Sequence, residues 1–278
     1  MAPGFAPLKG RKVMRFVSIA SGSSGNCIYI GSEETHILID AGISSKRIEA
    51  GLNELGVKPS ELSGILVTHE HSDHIGGLGV FSRRNEIPIY TTTGTYEGIL
   101  RAKNLGTMPE GLHREVVPDR RFSIGDLEIL PFSIDHDAAD PCAYRVDCGG
   151  TSAAVVTDLG NYSQYTLNHL RGLDAILLEA NHDVHMLEAG PYPYYLKRRI
   201  MGNKGHLSND SAGRLLGDIL HDHFKKALLG HLSKENNYAS LAYETVRLEV
   251  TMGENAYQGN DFDIAVADRS QMSEIINL

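Results

Sequence analysis

The segment GILVTHEHSDHIGG, residues 64–77, joins a short apolar run to a turn that is rich in histidine. The apolar run predicts a buried β-strand, because short apolar runs that end at turn residues are typical of such strands. His69, His71, Asp73 and His74 follow within six positions. A tight turn after a strand can direct these side chains inward, and imidazole together with carboxylate suits zinc, iron or manganese. The segment therefore predicts a metal site at the end of a strand.

The spacing of these four residues is compatible with two ions. His69 and His71 can bind one metal together, whereas Asp73 and His74, on the bend, can serve a second. The alternative interpretation is a polar surface turn that happens to be rich in histidine. We favour the metal site.

Strand-like runs alternate with helical periodicity along most of the chain. One helix carries Ile48 and Leu52 on one face with Ser44 as its N-cap, and later helices are predicted around residues 212–220 and 239–250. The predicted strands are CIYI, HILID, GILVTH, IPIYTT, LEILPFSI, AYRVD, SAAVVTD, DAILLEA, ALLGH and, closing the chain, FDIAVA. Strands that interleave with helices indicate a layered α/β domain.

Polar residues recur at the ends of these predicted strands. Five strands end in this way, at Asp40, His69, Asp158, Glu179 and His231. One such residue would be unremarkable, but five predict a common rim, because α/β folds gather functional side chains at the ends of their strands.

Length and composition fit an ordinary globular protein of 278 residues, with 41% hydrophobic and 22% charged residues. Residues 1–13 predict a disordered lead-in or a cloning remnant, and residues 14–278 a single domain. No apolar run approaches the roughly 20 residues of a membrane helix, and the start lacks the features of a secretion signal. Three scattered cysteines do not suggest a disulfide framework. We therefore expect a cytoplasmic protein with no membrane segment.

The formal net charge of −9 argues mildly against a protein that coats nucleic acid. It does not exclude a nuclease, because bound cations are often the largest charges in a site.

The His-x-His-x-Asp-His pattern after a buried strand resembles the signature of the metallo-β-lactamase superfamily. The resemblance runs from about Met14 to the last predicted strand, and it implies a four-layer αββα sandwich of two mixed sheets flanked by helices. It also implies two divalent metals, zinc in the first place, with manganese or iron as alternatives. The predicted ligands are His69, His71, Asp73, His74, His136, Asp158 and His231.

Four of these positions match further motifs of the superfamily. Asp40 resembles the aspartate that orients the histidine turn from behind. His136, in SIDHDAADP, resembles the ligand that completes the first metal site, and Asp158, in VVTDLG, the aspartate that bridges both metals. His231 resembles the last ligand of the second metal.

The tetrapeptide Gly-His-Leu-Ser occurs twice, around His206 and around His231. Only His231 follows an apolar strand. His206 resembles a histidine of the tRNase Z branch that a glutamate orients and that assists departure of the leaving group, which makes Glu179 the orienting residue and His206 the proton donor. The alternative for His206 is an ordinary residue near a helix cap, since Ser208–Ser211 have N-capping composition. That helix start is also predicted to bind phosphate.

Several motifs together resemble the YycJ/WalJ-like subgroup of bacterial superfamily members: SIASGSSGNC, THEHSDHIGGL, HDAADP, EANHD, GHLSND and GHLSKENN. The resemblance implies nuclease activity on DNA, including 5′-exonuclease action. Ser21–Asn26 would be either a flexible loop near the metals with a role in substrate binding or a simple turn between strands. His182 can reach the site or be structural.

These residues predict hydrolysis of a phosphodiester in nucleic acid, with Asp73 as proton acceptor and His206, held by Glu179, as proton donor. A small-molecule carbonyl hydrolase acting on a lactone, thioester or β-lactam is the second hypothesis. It needs the metals but not a histidine directed at a leaving alkoxide. A non-catalytic binding module on the same scaffold ranks last, because every ligand position is filled.

Overall fold

Fourteen strands form two seven-stranded sheets in the computed structural model, which describes residues 13–278. The predicted lead-in over residues 1–13 lies, apart from Val13, outside the described residues. The strands are β1 (Arg15–Ala20), β2 (Cys27–Gly31), β3 (His36–Ile39), β4 (Leu62–Leu66), β5 (Ile89–Thr91), β6 (His113–Glu115), β7 (Phe122–Ile124), β8 (Leu127–Ser133), β9 (Cys142–Cys148), β10 (Thr151–Val156), β11 (Ala175–Glu179), β12 (Lys226–Gly230), β13 (Asp263–Val266) and β14 (Ile276–Asn277).

Nine α-helices connect these strands within the described part of the chain. They are α1 (Ser45–Glu54), α2 (Ser72–Ile75), α3 (Leu78–Asn85), α4 (Thr93–Arg101), α5 (Gln164–Leu170), α6 (Val184–Ala189), α7 (Tyr194–Ile200), α8 (Asn209–Ile219) and α9 (Ala239–Met252). The predicted cap of the first helix is confirmed, since the Ser44 side chain accepts a hydrogen bond from the Arg47 N–H.

Each sheet changes from antiparallel to parallel pairing part-way across. The first sheet has the order β14-β1-β2-β3-β4-β5-β6 and is parallel from β3 onward, and the second has the order β13-β12-β11-β10-β9-β8-β7 and is parallel from β10 to β13. Parallel strands that lie side by side end at the same edge. The residues that follow β3, β4, β10 and β12 therefore reach one rim.

Apolar side chains form three layers of core. The middle layer lies between the sheets and combines residues such as Ile30 and Ile39 from the first sheet with Tyr144 and Leu177 from the second. One outer layer packs the first sheet against α1, α3 and α4, and the other packs the second sheet against α5, α8 and α9. The predicted αββα sandwich of two mixed sheets is confirmed.

One prediction about the end of the chain was wrong. FDIAVA forms β13 at the edge of the second sheet, but it does not close the fold. The two-residue strand β14 follows it and pairs with β1 in the first sheet, Phe16 opposite Ile276. Two residues are too short to show strand periodicity in a sequence.

Candidate metal centre

Backbone geometry turns three rim residues toward the site. Asp40, Asp158 and His231 have φ angles of 63°, 58° and 54°. Only two other non-glycine residues among 13–278 have positive φ. This left-handed conformation is unfavourable for side chains larger than glycine, and it persists where surrounding structure holds it in place, often at functional sites. Each strand thus bends sharply at the residue that carries the predicted function.

The histidine turn is fixed by close backbone contacts. Its residues form the short helix α2, with His71 as N-cap. The Ala41 N–H donates to the His74 carbonyl at 2.9 Å, and the Asn26 N–H donates to the Asp73 carbonyl at 2.8 Å. A Cβ on Gly42 would lie 1.7 Å from the Asp73 carbonyl oxygen, so only glycine fits there. The segment after β3 therefore clamps the turn against the rim.

The structure brings His69, His71 and His136 together as one group of donors. His136 Nε2 lies 3.2 Å from His71 Nδ1, and the rings of His69 and His71 are 4.6 Å apart between centroids. One ligand atom from each of the three residues lies within 4.8 Å of those of the others. His69 and His136 are buried, so the group faces inward.

Asp73, His74 and His231 form a second group of donors. His231 Nε2 lies 3.3 Å and His74 Nε2 3.6 Å from Asp73 Oδ2. Asp158 lies between the two groups, with Oδ2 3.0 Å from His74 Nε2 and Oδ1 3.7 Å from His136 Nε2. All seven predicted ligands are therefore at one place.

Hydrogen bonds at Nδ1 of His74 and His136 show which nitrogen of each ring is left to face the site. His74 Nδ1 lies 2.7 Å from Asp40 Oδ2, and His136 Nδ1 lies 3.1 Å from the Gly205 carbonyl oxygen. Carboxylates and carbonyls only accept, so these Nδ1 atoms carry the protons. In the neutral imidazole, Nε2 then presents a lone pair, which in His74 points at an Asp158 oxygen.

This arrangement fits a bound cation. Lone pairs that face one another at about 3 Å need a positive charge between them, which a metal ion or a proton can supply. Burial opposes protonation of His74, but Asp40 and Asp158 raise the pKa of its imidazole. His69 Nε2 and Asp158 Oδ2 are buried and have no well-aligned hydrogen-bond partner among residues 13–278. Buried polar atoms without partners are rare and call for an explanation such as a missing ion. Nitrogen donors with carboxylate are also the set that zinc, iron and manganese accept.

The donors open into a cavity of about 250 Å³. Part of its wall consists of predicted ligands and His206. The remaining wall includes Ser23 of the predicted loop Ser21–Asn26, and Asn181 and Ser233 of the EANHD and GHLSKENN motifs. Four further residues, which the sequence did not single out, complete it: Tyr192, Leu196, Arg199 and Ile200.

Comparison with known proteins agrees with this geometry. The Beta-lactamase superfamily domain matches residues 35–231.

The chain belongs to the metallo-β-lactamase superfamily.

Within the superfamily the chain falls in the YycJ/WalJ group. It is 37% identical over 241 residues to exodeoxyribonuclease YycJ of Bacillus anthracis, covering 84% of this chain and 88% of the relative. It is 38% identical over 232 residues to exodeoxyribonuclease WalJ of Streptococcus pneumoniae serotype 2, covering 84% and 86%. The crystal structure of Zn(2+)-bound PqqB from Methylobacterium extorquens shares the fold, with a TM-score of 0.68, 14% identity and coverage of 94% of this chain and 99% of that one. Membership in this superfamily implies divalent metal ions at the rim.

Glu179 has a wider role in this superfamily member than the sequence predicted. Its Oε1 lies 2.8 Å from Nδ1 of His206 and also 2.8 Å from Nδ1 of His231. Its Oε2 accepts the N–H groups of Leu159 and Leu207 at 2.8 and 3.2 Å. The predicted contact with His206 is present, and the contact with His231 was not predicted. One buried carboxylate joins the histidines of both Gly-His-Leu-Ser copies.

Charge in the site favours cations. Burial disfavours ionisation of Glu179, but the His206 and His231 imidazoles outweigh it and lower the pKa of that carboxyl to about 2. Burial likewise opposes protonation of His231, yet Asp158, Asp73 and Glu179 raise the pKa of its imidazole to about 10. Buried carboxylates thus produce a strongly negative potential, which protons or metal ions neutralise.

The predicted phosphate site at the start of α8 is wrong. Ser208 caps this helix, and its side chain accepts the Ser211 N–H. The Asn209 N–H donates to the His182 carbonyl at 2.9 Å, and Ser208 and Asn209 are buried. These N–H groups are used within the chain, and the helix start does not line the cavity.

The structure gives the positions of two features whose roles the sequence left open, the segment Ser21–Asn26 and His182. Ser21–Asn26 is the connection between β1 and β2, and its ends are buried. Ser21 Oγ accepts the His231 N–H at 2.9 Å, and Asn26 Nδ2 lies 3.2 Å from His74 Nε2. His182 is buried beside Asn181 and belongs to neither donor group.

The three cysteines are buried and form no disulfide among residues 13–278. No helix among the described residues has the length and apolar character needed to span a membrane.

Proposed function

We propose that this chain is a metal-dependent phosphodiesterase that degrades DNA as a 5′-exonuclease. One observation carries the proposal beyond the family assignment. His206 lies beside both donor groups, with its Nδ1 held by Glu179 and its ring on the cavity wall. A histidine that lies on the cavity wall and is not one of the seven proposed ligands suits a reaction in which a poor leaving group needs a proton. The names of the YycJ and WalJ relatives agree with this substrate.

We propose that the donors hold two divalent ions, zinc in the first place and manganese or iron as alternatives. His69, His71 and His136 would hold one ion, Asp73, His74 and His231 the other, and Asp158 both. When bound, such ions polarise the phosphoryl group, activate water and offset negative charge in the transition state. Glu179 is a poor candidate for a ligand, because its two oxygens already accept four hydrogen bonds.

His206 is proposed as the general acid. Burial works against its protonation, but Glu179 and Asp158 raise the pKa of the imidazole above its ordinary value. With Nδ1–H directed at Glu179, its Nε2 holds the proton that the departing oxygen receives. Proton donation of this kind typically contributes 10²–10⁴-fold.

Asp73 is proposed to position the attacking water. Burial alone would raise the pKa of this carboxyl, but without an ion protonated His231 and His74 hold it far below its ordinary value, and a bound cation in place of those protons would also keep it ionised. A carboxylate that remains ionised is a good hydrogen-bond acceptor but a weak base. Asp73 therefore orients the water and accepts a hydrogen bond from it, and a proton that it takes up from the water passes on to solvent.

Hydrolysis of a lactone, thioester or β-lactam is the second candidate. It would use the same donors, but it gives the Glu179–His206 pair no task. A non-catalytic binding module fits less well, because all seven donor positions are filled. Buried cysteines that form no disulfide favour a reducing compartment, and we propose the cytoplasm.

The proposal is tested with the purified, metal-reconstituted protein and DNA or RNA labelled at the 5′ or 3′ end, single- or double-stranded. We expect release of short 5′ products from DNA with zinc or manganese. His206→Ala should slow cleavage about 10²-fold or more. The matched control His223→Ala removes an exposed histidine from the loop before β12, at the end of the second sheet opposite the rim, and should cleave normally. Turnover of a lactone or thioester without cleavage of any nucleic acid would overturn the proposal.

A further inference from the structure

Helix α7 exposes two adjacent tyrosine rings. Tyr194 and Tyr195 are 74% and 75% exposed, the largest such values among the tyrosines of the described residues. Rings that are exposed to this extent leave apolar surface in contact with water and gain little from packing in the free protein. No nearby core explains them, because Ile200 is the buried residue of this helix.

The same helix belongs to the wall of the candidate site. Leu196, Arg199 and Ile200 line the cavity together with His206. The Ile200 carbonyl accepts the His206 N–H at 3.0 Å. The turn after the helix is tight, since a Cβ on Gly205 would lie 2.1 Å from that carbonyl oxygen. Helix α7 and the proposed proton donor are therefore held in a fixed relation.

Tyrosine and arginine alternate around this helix as it leaves the cavity. Tyr194 and Arg198 are four residues apart, as are Tyr195 and Arg199, so each pair shares a helix face. The Arg198 guanidinium lies over the Tyr194 ring, 6.0 Å from its centroid. At 100° per residue, Arg199, Tyr195, Arg198 and Tyr194 follow one another around the helix, starting from the cavity wall.

Basic charge is concentrated here although the chain is acidic overall. Lys197, Arg198, Arg199 and Lys204 fall within eight positions, whereas the whole protein has a net charge of −9. Arg199 is partly neutralised by Asp137, whose carboxylate lies 2.5 and 3.0 Å from its Nε and Nη2. Arg198 makes no such ion pair within residues 13–278 and is exposed.

We infer that α7 is the platform that receives the unpaired end of a nucleic-acid substrate, with bases stacked on Tyr194 and Tyr195 and a phosphate bound by Arg198. The inference rests on the proposed function and specifies its substrate as single-stranded. Aromatic rings bind bases irrespective of sequence through their faces, and an arginine beside them neutralises the backbone. Duplex ends bind poorly, because paired bases cannot spread onto two exposed rings.

Binding and turnover are measured on the metal-loaded protein. A fluorescein-labelled, phosphorothioate-linked single strand reports affinity by anisotropy without being cleaved, and bis-p-nitrophenyl phosphate reports the metal site alone. The double variant Tyr194→Ala/Tyr195→Ala should bind the strand at least about fivefold more weakly, the lower end of the effect of one stacked base. Its KM for single-stranded DNA should rise likewise, with kcat for the small diester unchanged.

Three matched variants separate stacking from charge. Tyr194→Phe/Tyr195→Phe keeps both rings and should bind like the parent. Arg198→Ala should reduce the slope of log affinity against log salt by roughly 0.7, the value for one phosphate on a single strand. Arg171→Ala removes an exposed arginine near the start of β11, at the opposite end of the second sheet, and should leave the slope unchanged.

Parent-like strand binding by the double alanine variant overturns the inference and leaves α7 as a surface for a protein partner. Equal weakening in the phenylalanine variant also overturns stacking. The proposed function fails separately, when the parent cleaves no nucleic acid although it binds the strand.

Discussion

Replacing Glu179 by glutamine tests whether one carboxylate serves both histidines of the repeated tetrapeptide. The substitution Glu179→Gln keeps the shape of the side chain but changes one oxygen into an NH₂ group. In the native protein Oε1 accepts from His206 and His231, and Oε2 accepts from the N–H groups of Leu159 and Leu207. If the NH₂ group replaces Oε1, it faces the Nδ1–H groups of His206 and His231. If it replaces Oε2, it faces the backbone N–H groups of Leu159 and Leu207. In either orientation two donors lose their acceptor.

The magnitude follows from these contacts. Glu179 is fully buried, so the donors left without an acceptor cannot turn to water. Each unsatisfied buried polar group costs about 1–3 kcal/mol, and two such groups give a loss of unfolding free energy of roughly 2–6 kcal/mol. Loss of the partner behind a metal-binding histidine typically weakens metal affinity about 10–100-fold. Loss of the partner of His206 should slow turnover as well, by up to about 10²–10⁴-fold.

Three measurements separate these effects. Thermal or denaturant unfolding gives the stability, and elemental analysis after dialysis against a graded chelator gives metal affinity. Cleavage of end-labelled DNA gives kcat, because the good leaving group of bis-p-nitrophenyl phosphate needs no proton from His206. His206→Ala should lower kcat with both metals retained, and His231→Ala should lose one metal. Glu179→Gln should both lower kcat and weaken the binding of one metal. If it retains both metals at parental affinity and loses only turnover, the contact with His231 has no functional part and the reasoning is refuted.

Three further results are expected. Elemental analysis and anomalous scattering of reconstituted protein should find two ions about 3.5–4 Å apart, and a single ion with Asp158 turned away would contradict the proposed donor sets. Gly42→Ala should abolish metal binding or folding, since its Cβ would lie 1.7 Å from the Asp73 carbonyl oxygen. The control Gly56→Ala, at a residue with φ 71° and open space around it, should lower the free energy of unfolding by only about 1 kcal/mol. Circular dichroism and metal analysis compare the two variants. Burial raises the pKa of the Cys142 thiol to about 12. This cysteine should therefore resist iodoacetamide at pH 8 in the native protein and react once the protein is unfolded, as followed by mass spectrometry. Rapid labelling of the native protein would show that the second sheet opens at Cys142.

The histidine turn and its metal-binding chemistry were readable from the sequence because their information is local. His69 to His74 lie on one turn, and the rim residues Asp158 and His231 are marked by the apolar strands before them. The left-handed backbone conformation of Asp158 and His231 could not be predicted from the sequence, because it depends on the elements that pack around each strand end.

The contact between Glu179 and His231 was missed because it joins residues 52 positions apart. The N-cap composition at Ser208 was correctly recognised, but sequence alone could not show that His182 already accepts the N–H of Asn209. The platform on α7 was missed for a different reason. Alternating tyrosine and arginine is compatible with an ordinary solvated helix, and only the exposure of the rings and the position of Arg199 on the cavity wall distinguish the two.

The proposed ligands are divided between the two sheets. His69, His71, Asp73 and His74 come from the first sheet, whereas His136, Asp158 and His231 come from the second. Bound ions would thus join the two sheets of the sandwich to each other, in addition to any catalytic role. Neither half of the chain can complete a site before the halves dock, so metal uptake during refolding would report the moment of docking. Since a ligand that binds only the folded state stabilises it by RT ln(1 + [L]/Kd), metal supply would also set the stability of the docked state.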